Sequence, residues 1–572
     1  MKSYRLRDVP RVVVAGLLVS SLFCSVIMAG QAAATAPKSA PTLAKPEREL
    51  SERVKAGTIR DVTSTLASKE MEGRGTATPG GDRAARYLAD RYAKLGLKPL
   101  GDAGSYLQAI KFKSSNLLPD CALRVGDSEL KFRDEFIFAP PFTSERVDAT
   151  GSLVFAGYGV VSQALKRDDL AGLDLKGKVV LILGGHPKNV DEAAWAKAVN
   201  PQSLIFPLVS RGVAGILLAD FTFGGLTFEK LAEFLSRRSV SLADSPQASM
   251  MPSKLPPIAI ISAEGAQKLA SGAGLSFSDI KARAETGEFT SRDLNKPVTL
   301  AVRMKREDAV GSNVVGVLEG SDPALKDQAV VFSSHYDAFG IASNGGIYFG
   351  AADDALGVGV MMSIAESFAK APAKPRRSII FLAVTGEEHG LLGAQHWVHH
   401  PTWPIEKVAA DIQFDGIGSE TYGPVKRIII YGAEHSELGA VAEDVAKATG
   451  NEVVPDPFPE EGAFYRSDHY AFVVKGVPGI MPLGFPAGDM VQLRDRAKKW
   501  LVTDYHQTTD TVRPEWNWDG PRMLAVVAAI TGWRVAAADA MPKWVASSPY
   551  NRPRGTDLPA PPPNSPPPAP KQ

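Results

Sequence analysis

Histidine and carboxylate residues that could bind metal ions cluster in one stretch of this 572-residue chain. Eight of its nine histidines lie between His335 and His506. The same stretch contains the acidic pairs Asp353-Asp354 and Glu387-Glu388, and also Asp415. An aspartate before a helix is usually a cap, and a glutamate pair after a strand is usually a solvated turn. The whole set fits neither explanation, because it combines the imidazole nitrogens and carboxylate oxygens that bind zinc.

These residues follow predicted strands in regular order. Apolar runs predict strands over Ala329–Ser333, Ser378–Val384 and Val408–Phe414, with helices over Gly357–Lys370 and Gly390–His399 between them. Such alternation predicts an α/β fold with a mixed, largely parallel central sheet flanked by helices. The carboxyl ends of parallel strands meet at one edge of a sheet, where this type of fold places its active site.

The donor set is suited to hydrolysis at a pair of zinc ions. Two zinc ions about 3.5–4 Å apart repel each other, so a carboxylate must bridge them. Three carboxylate ligands leave a net charge of +1, which a hydroxide between the metals cancels. A further carboxylate that does not bind metal can take the proton of the attacking water and pass it to the leaving amine.

The order of these motifs resembles the co-catalytic dizinc exopeptidases. This group includes bacterial leucyl-type aminopeptidases, glutamate carboxypeptidases and the transferrin receptor ectodomain. The matching segments are His335-Tyr336-Asp337, Gly350–Gly357, Gly386-Glu387-Glu388, Gln413-Phe414-Asp415, Arg466-Ser467-Asp468-His469 and Tyr505-His506. The early Glu72-Gly73-Arg74-Gly75 loop and the Leu95–Pro99 turn also match. The resemblance covers most of residues 50–545.

The resemblance implies a role for each matching position. The zinc ligands would be His335, Asp353, Glu388, Asp415 and His506. Asp353 would bridge the two ions, and Asp337 would hold the ring of His335. Glu387 would be the general base and then the general acid.

The resemblance implies an exopeptidase with two zinc ions that acts on peptides, and the composition of residues 1–34, described below, predicts that it is exported. An aminopeptidase is expected, in which a hydroxide on the zinc pair attacks the scissile carbonyl. Cobalt or manganese could occupy similar ligands. The alternatives are a carboxypeptidase, for which Arg466 and Arg494 are candidate carboxylate partners, a glutaminyl cyclase, or a non-catalytic receptor-like binding protein. The preferred terminal residue and the oligomeric state stay open.

A segment with a different sequence pattern separates two parts of the predicted peptidase domain. Short apolar runs typical of strands dominate residues 117–300, between the segments 49–116 and 301–548. Phe155–Gly159 and Leu173–Val180 resemble segments of a protease-associated domain, which several of these peptidases carry as an insertion. We therefore expect a β-rich inserted domain over 117–300. The alternative is a stabilising β domain that binds no ligand.

Composition excludes several classes of protein. Apolar residues make up 44% and charged residues 22% of the chain, which excludes global disorder. The net charge is +1, so a nucleic-acid partner is not expected. The two cysteines are Cys24 and Cys121. Loss of a signal segment would leave Cys121 alone, without an intramolecular disulfide partner.

The two ends of the chain have distinct compositions. Residues 1–34 have a basic start, an uncharged run over Val12–Gly30 and small residues beyond it, which predicts a signal peptide and no stable membrane span after its cleavage. An uncleaved membrane anchor is the alternative. The protein is then periplasmic or secreted. Residues 35–48 are a predicted linker, and 549–572 a predicted proline-rich disordered tail.

Overall fold

The structure is a computed structural model that describes residues 42–140, 144–221, 227–244, 255–272, 274–286, 291–416 and 423–558. The expected signal peptide at 1–34 lies outside these residues. All described residues belong to one compact unit. Within the described residues, no helix combines the length and the apolar character that a membrane crossing requires.

The chain enters the fold through three helices and two strands. They are α1 (Lys45–Arg53), α2 (Ala56–Leu66), α3 (Pro79–Lys94), β1 (Lys98–Pro99) and β2 (Leu107–Leu117). The start of α3 has local causes. The side chain of Thr78 accepts a hydrogen bond from the Gly81 N–H, and Pro79 occupies the first helical position, where its missing N–H costs nothing.

The segment between β2 and the longest strand contains helices as well as strands. Its strands are β3 (Ala122–Val125), β4 (Ser128–Leu130), β5 (Phe136–Ala139), β6 (Arg146–Phe155), β7 (Val161–Ser162), β8 (Arg167–Asp168), β9 (Val179–Leu183), β10 (Gly215–Ala219), β11 (Ser239–Leu242) and β12 (Ile258–Ile261). Its helices are α4 (Glu192–Ala198), α5 (Pro201–Leu204), α6 (Phe206–Ser210), α7 (Phe228–Ser236), α8 (Ala263–Gly272) and α9 (Phe277–Thr286). The expectation of a β-rich segment therefore captured its strands and missed its helices, several of which are too short to show a clear periodicity.

The remaining chain alternates strands with helices. The strands are β13 (Arg292–Leu318), β14 (Ala329–His335), β15 (Gly340–Ile341), β16 (Ile347–Tyr348), β17 (Ser378–Val384), β18 (Val408–Phe414), β19 (Val425–Tyr431), β20 (Glu452–Val453) and β21 (Gly479–Pro486). The helices are α10 (Leu356–Ala369), α11 (Leu392–His399), α12 (Glu437–Ala448), α13 (His469–Val474), α14 (Met490–Thr503) and α15 (Asp519–Ala537).

The central sheet is mixed and largely parallel in its middle. Its strand order is β11–β2–β13–β17–β14–β18–β21–β19–β20, and β17, β14, β18 and β21 run parallel to one another. Every residue of β14, β17 and β18 is buried. Helices cover both faces, with α10 and α15 on one and α11 and α13 on the other. Buried and mostly apolar strands suit a sheet covered on both faces, and the predicted fold class is confirmed.

A second sheet gives the inserted segment its own core. Its order is β4–β3–β13–β6–β9–β10–β12–β5, and the first half of β13 belongs to it while the second half belongs to the central sheet. Its apolar core runs from Leu117 to Met304. We call this sheet and the helices packed on it the inserted body. Its identification as a protease-associated domain stays a prediction.

The structure moves both predicted boundaries of the folded part outward. Helix α1 begins at Lys45, inside the expected linker 35–48, because Leu50 is fully buried and Arg534 pairs with Glu47 at 2.7 Å. Near the other end, Tyr550 is buried and the Arg554 side chain donates hydrogen bonds to backbone carbonyls of β18. The expected tail was placed at 549–572. Its described residues, 549–558, belong to the folded part.

Candidate metal centre

Four neighbouring parallel strands deliver the predicted site residues to one edge of the central sheet. His335 is the last residue of β14. Glu387 and Glu388 follow β17 through a short turn, and Asp415 follows β18 directly. His506 comes just after α14, the helix that follows β21. The structure thus brings together side chains that are far apart in the sequence.

The first group of candidate ligands consists of His335, Asp353 and Asp415. The Nε2 atom of His335 lies 3.2 Å from Oδ1 of Asp353 and 3.4 Å from Oδ1 of Asp415. The ring of His335 is completely buried. Its Nδ1 atom faces Asp337, at 3.2 Å from the backbone oxygen and 3.7 Å from Oδ1. Asp337 therefore lies where it can orient the ring, with the backbone carbonyl as its closer contact.

The second group consists of Asp353, Glu388 and His506. The Nε2 atom of His506 lies 3.3 Å from Oδ2 of Asp353 and 3.0 Å from Oε2 of Glu388. Asp353 is thus shared, with one carboxylate oxygen turned toward each group. A bridging carboxylate between two cations has this arrangement.

The spacing of these atoms fits tetrahedral zinc. Donors about 2.1 Å from a tetrahedral ion lie roughly 3.4 Å from one another. The donor separations within the two groups run from 3.0 to 3.4 Å. The imidazole and carboxylate donors are those that zinc prefers, and three carboxylates balance most of the charge of two divalent ions.

The electrostatics of the cluster favour cations. Burial alone would lower the pKa of His506, but the Glu388 and Asp353 carboxylates outweigh it and raise that pKa to about 9. For His335, burial is again opposed by the carboxylate of Glu387 and by hydrogen bonds to aspartates, so its pKa is raised well above the usual value. Both rings thus sit in a strongly negative potential, which a bound metal ion would neutralise.

Glu387 belongs to the cluster without being a member of either ligand group. Burial, together with nearby carboxylates such as Asp415, raises its pKa well above the usual value. Its Oε2 atom is 3.9 Å from Nε2 of His335. Its backbone N–H donates to Oδ1 of Asp337 at 3.2 Å, and the Thr76 hydroxyl donates to the other oxygen at 2.8 Å. A carboxyl group with a raised pKa beside a metal centre suits proton transfer.

The loop that carries Asp353 is held by residues that the motifs did not identify. The carboxylate of Asp510 accepts the backbone N–H groups of Ala352 at 2.9 Å and Asp353 at 3.1 Å. The completely buried Arg74 donates to the carbonyl oxygens of Phe349 and Gly350 just before them. In the sequence, the only signal for Asp510 was that it is acidic and lies four positions after His506, the last expected ligand. Arg74 lies in a loop that matched the family, although the match gave it no role.

Other polar residues support the ligands from behind. The Ser467 hydroxyl donates a hydrogen bond to the Asp415 carboxylate and lies 2.7 Å from Oε1 of Gln413. His469 is completely buried, with Nδ1 at 3.1 Å from the same Gln413 oxygen, and burial lowers its pKa to about 3. Neither belongs to a ligand group. Asp354 is also separate, because it accepts the Ser334 hydroxyl at 2.6 Å.

A largely apolar cavity of about 190 Å³ opens beside Glu387, Asp353 and Asp415. Its walls come from β19, β21, α14 and the segment before α13. The apolar lining residues are Tyr431, Phe458, Ala463, Met481, Leu483, Phe485, Pro486, Leu493, Ala497, Trp500, Leu501 and Tyr505. Polar atoms enter the lining through Glu461, Arg466, Ser467 and Arg496. The ring of Tyr505 stacks on that of His506 at 3.7 Å between centroids.

Sequence comparison places the site segment in a known family. Residues 313–530 match the profile of Peptidase family M28. The "probable leucine aminopeptidase 2" of Aspergillus oryzae is 26% identical over 391 residues, which cover 66% of this chain and 64% of that protein. A "Vacuolar membrane protease" of Yarrowia lipolytica is 34% identical over 109 residues, 19% of this chain and 10% of that protein. The matches thus cover less than two thirds of either relative.

Structure comparison supports the fold. The aminopeptidase from Aneurinibacillus sp. strain AM-1 superposes with a TM-score of 0.55 at 18% identity, over 86% of this chain and 97% of that chain. At this identity the likeness concerns the fold alone. It agrees with the sheet order, and the match of residues 313–530 to Peptidase family M28 bears out the expected family for that segment.

Proposed function

Residues 313–530 form a zinc-metallopeptidase segment of Peptidase family M28, and we propose that the chain uses it as an aminopeptidase with two zinc ions. The observation that carries the proposal is the shared position of Asp353 between two ligand groups, each completed by one histidine and one further carboxylate. The expected receptor-like alternative has no support of this kind, because all five ligand positions and Glu387 are present and lie together.

The chain's own residues would divide the work as follows. His335 and Asp415 would hold one ion, Glu388 and His506 would hold the other, and Asp353 would contribute to both. Zinc held by these residues would supply Lewis acidity, which lowers the pKa of water and polarises a carbonyl group.

The proton would travel through Glu387. Its carboxyl group lines the cavity beside Asp353 and Asp415. A carboxylate in this position would accept a proton from water and release it to the leaving amine. The bond from its N–H to Asp337 fixes the turn on which it sits.

The cavity supports an apolar residue at the cleaved end of the substrate. Its volume exceeds the roughly 150 Å³ of an apolar cavity that holds a benzene molecule. Leu483, Met481 and Phe485 on β21 offer no charge to a substrate side chain. A leucine or phenylalanine side chain would therefore fit better than a charged one.

Two arginines in the lining keep a carboxypeptidase as a second candidate. Arg466 and Arg496 both line the cavity, and a terminal carboxylate would need such a partner. The charge of Arg466 is partly matched by Glu461, at 3.3 Å. The guanidinium group of Arg494, the other arginine considered from the sequence, lies over the ring of Phe458.

A paired substrate assay separates these activities. Purified full-length protein is given leucyl and phenylalanyl peptides with a free or acetylated N-terminus, each with a free or amidated C-terminus. An aminopeptidase cleaves only the free amines and tolerates the amide, whereas a carboxypeptidase shows the reverse. A peptide with N-terminal glutamine detects cyclisation. Elemental analysis of the same sample should give two zinc ions per chain, and hydrolysis of acetylated peptides alone would refute the proposal.

A further inference from the structure

Two adjacent arginines connect the inserted body to the metal centre. Arg237 and Arg238 lie between α7, which packs on the core of the inserted body, and β11, which pairs with β2 of the central sheet. Their side chains reach opposite sides of the site. Arg237 contacts the segment around His506, and Arg238 donates to the backbone oxygen of Thr76.

Arg237 is held in a tight aromatic setting. Its guanidinium carbon lies 4.2 Å from the ring centre of Phe339 and 4.3 Å from that of Tyr348. Its Nε atom lies 3.1 Å from the Tyr348 hydroxyl oxygen, and its Nη2 donates to the backbone oxygen of His506 at 2.8 Å. A planar guanidinium can stack on rings and donate hydrogen bonds at its edge at the same time, and a lysine ammonium cannot.

The ring of Phe339 also contacts the candidate ligand His506. Phe339 meets the His506 ring edge to face, with centroids 4.8 Å apart. Tyr505 stacks on that ring as well. Arg237 therefore acts on His506 twice, directly at its carbonyl oxygen and indirectly through Phe339.

His506 needs such support because of its backbone. Its φ is +55°, in the left-handed region that residues other than glycine seldom adopt. Such a conformation persists when surrounding contacts over-determine it. The hydrogen bond from Arg237 fixes the carbonyl of this residue, and the two rings fix its imidazole.

We propose that Arg237 is a positioning residue that sets the orientation of His506, and that the inserted body thereby controls binding of the zinc ion held by Asp353, Glu388 and His506. The proposal rests on the dizinc function proposed above. The inserted body would then orient one ligand of one of the two ions, a role that is independent of any contact with substrate.

The neighbouring arginine provides an internal contrast. Arg238 reaches Thr76, whose hydroxyl holds the Asp337 carboxylate beside His335. These contacts lead to the ligand group that contains His335. The ion held with the help of His506 should therefore depend on Arg237 and not on Arg238.

The test is zinc titration of the metal-free full-length protein with a competing chelator. The binding step whose dissociation constant rises in His506→Ala identifies the ion of interest. Arg237→Ala should raise the dissociation constant of that step by about 10–100-fold, the usual effect of removing a partner that orients a ligand. The other step should stay unchanged. The exposed Arg124, which pairs with Glu129 in the same body, gives the control Arg124→Ala.

A double variant separates positioning from general damage. If Arg237 acts through His506, Arg237→Ala adds nothing to the loss already caused by His506→Ala. Arg237→Lys keeps the charge without the stacked fork and should weaken the same step by a smaller factor, which guards against a misfolded alanine variant. Unchanged zinc steps in both Arg237 variants, or a change in the step that His506→Ala leaves unaltered, would overturn the inference. A wild-type protein with fewer than two zinc steps would instead overturn the dizinc function, and this inference with it.

Discussion

The carboxylate of Asp510 accepts the backbone N–H of Asp353, at 3.1 Å from Oδ2. Asp353 is the residue that both ligand groups share. The backbone of the residue proposed to bridge two ions is therefore held by a buried side chain that belongs to neither ligand group.

Replacement of Asp510 by alanine should weaken both zinc steps, because both ions use Asp353. A loss of about 10–100-fold in affinity at each step is expected. The measurement is the chelator-buffered zinc titration described for Arg237, whose variants should affect one step only. Asp495→Asn, an exposed position on α14, is the matched control. Two zinc steps of wild-type affinity in Asp510→Ala would show that this hydrogen bond does not govern the bridge.

Replacement of Glu387 by glutamine should separate chemistry from metal binding. Glutamine keeps the shape of the side chain and cannot accept the proton, so kcat should fall by about 10²–10⁴-fold. Both zinc ions should remain, because Glu387 belongs to neither ligand group. Steady-state kinetics and elemental analysis check the two parts. Glu461→Gln changes another carboxylate of the same cavity and should lower kcat by much less. Near-normal turnover in Glu387→Gln would remove the assigned base.

The parts of this fold that sequence could predict have a simple physical origin. The strands Ser378–Val384 and Val408–Phe414 were predicted to the residue, because a parallel strand covered on both faces is mostly apolar. The ligands at their ends followed from the rule that parallel strands converge at one edge. The motif order then supplied His506, which periodicity alone could not have placed after α14.

The contacts that support the candidate ligands could not be predicted from the sequence, because no local pattern encodes them. Arg237 and His506 are 269 residues apart in the sequence and meet only in the folded chain, and such long-range contacts leave no local pattern. The helices of the inserted body were missed because α5 and α6 span one turn or little more. The early helix α1 was hidden by the proline and lysine content of the segment around it.

The width of the cavity should decide which terminal residue is preferred. Ala497 on α14 lines the cavity, and Ala497→Phe would occupy part of its volume. Activity on leucyl and phenylalanyl substrates should fall relative to alanyl substrates, with a change of about 10-fold or more in the ratio of kcat/KM. The adjacent exposed Lys499, which is not part of the lining, gives the control Lys499→Phe. An unaltered preference would place the bound side chain elsewhere.

Arg74 should be essential for stability rather than for chemistry. It is completely buried and donates hydrogen bonds to the carbonyl oxygens of Tyr336, Leu66, Phe349 and Gly350. Arg74→Lys retains the charge but leaves several of these oxygens without a donor, at a cost of about 3–5 kcal/mol in unfolding free energy. Urea denaturation of metal-free protein measures this cost. The exposed Arg60 provides the control Arg60→Lys, which should change little. A loss below about 1 kcal/mol in Arg74→Lys would contradict the predicted role.

The buried His469 should make the metal-free protein sensitive to acid. Burial lowers its pKa from 6.5 to about 3, so the folded state holds the ring neutral where the unfolded chain would bind a proton. The resulting stability is fully present above pH 6.5 and is lost as the pH falls toward 3, at up to about 1.4 kcal/mol per pH unit. His469→Asn keeps a donor toward Gln413 and removes the titrating ring. Between pH 6 and 4 its unfolding free energy should therefore decline less steeply than that of the wild type, as measured by urea titrations in the presence of a chelator. His399→Asn, at an exposed position, should reproduce the wild-type slope, and an equal slope in His469→Asn would show that this ring does not carry the acid sensitivity.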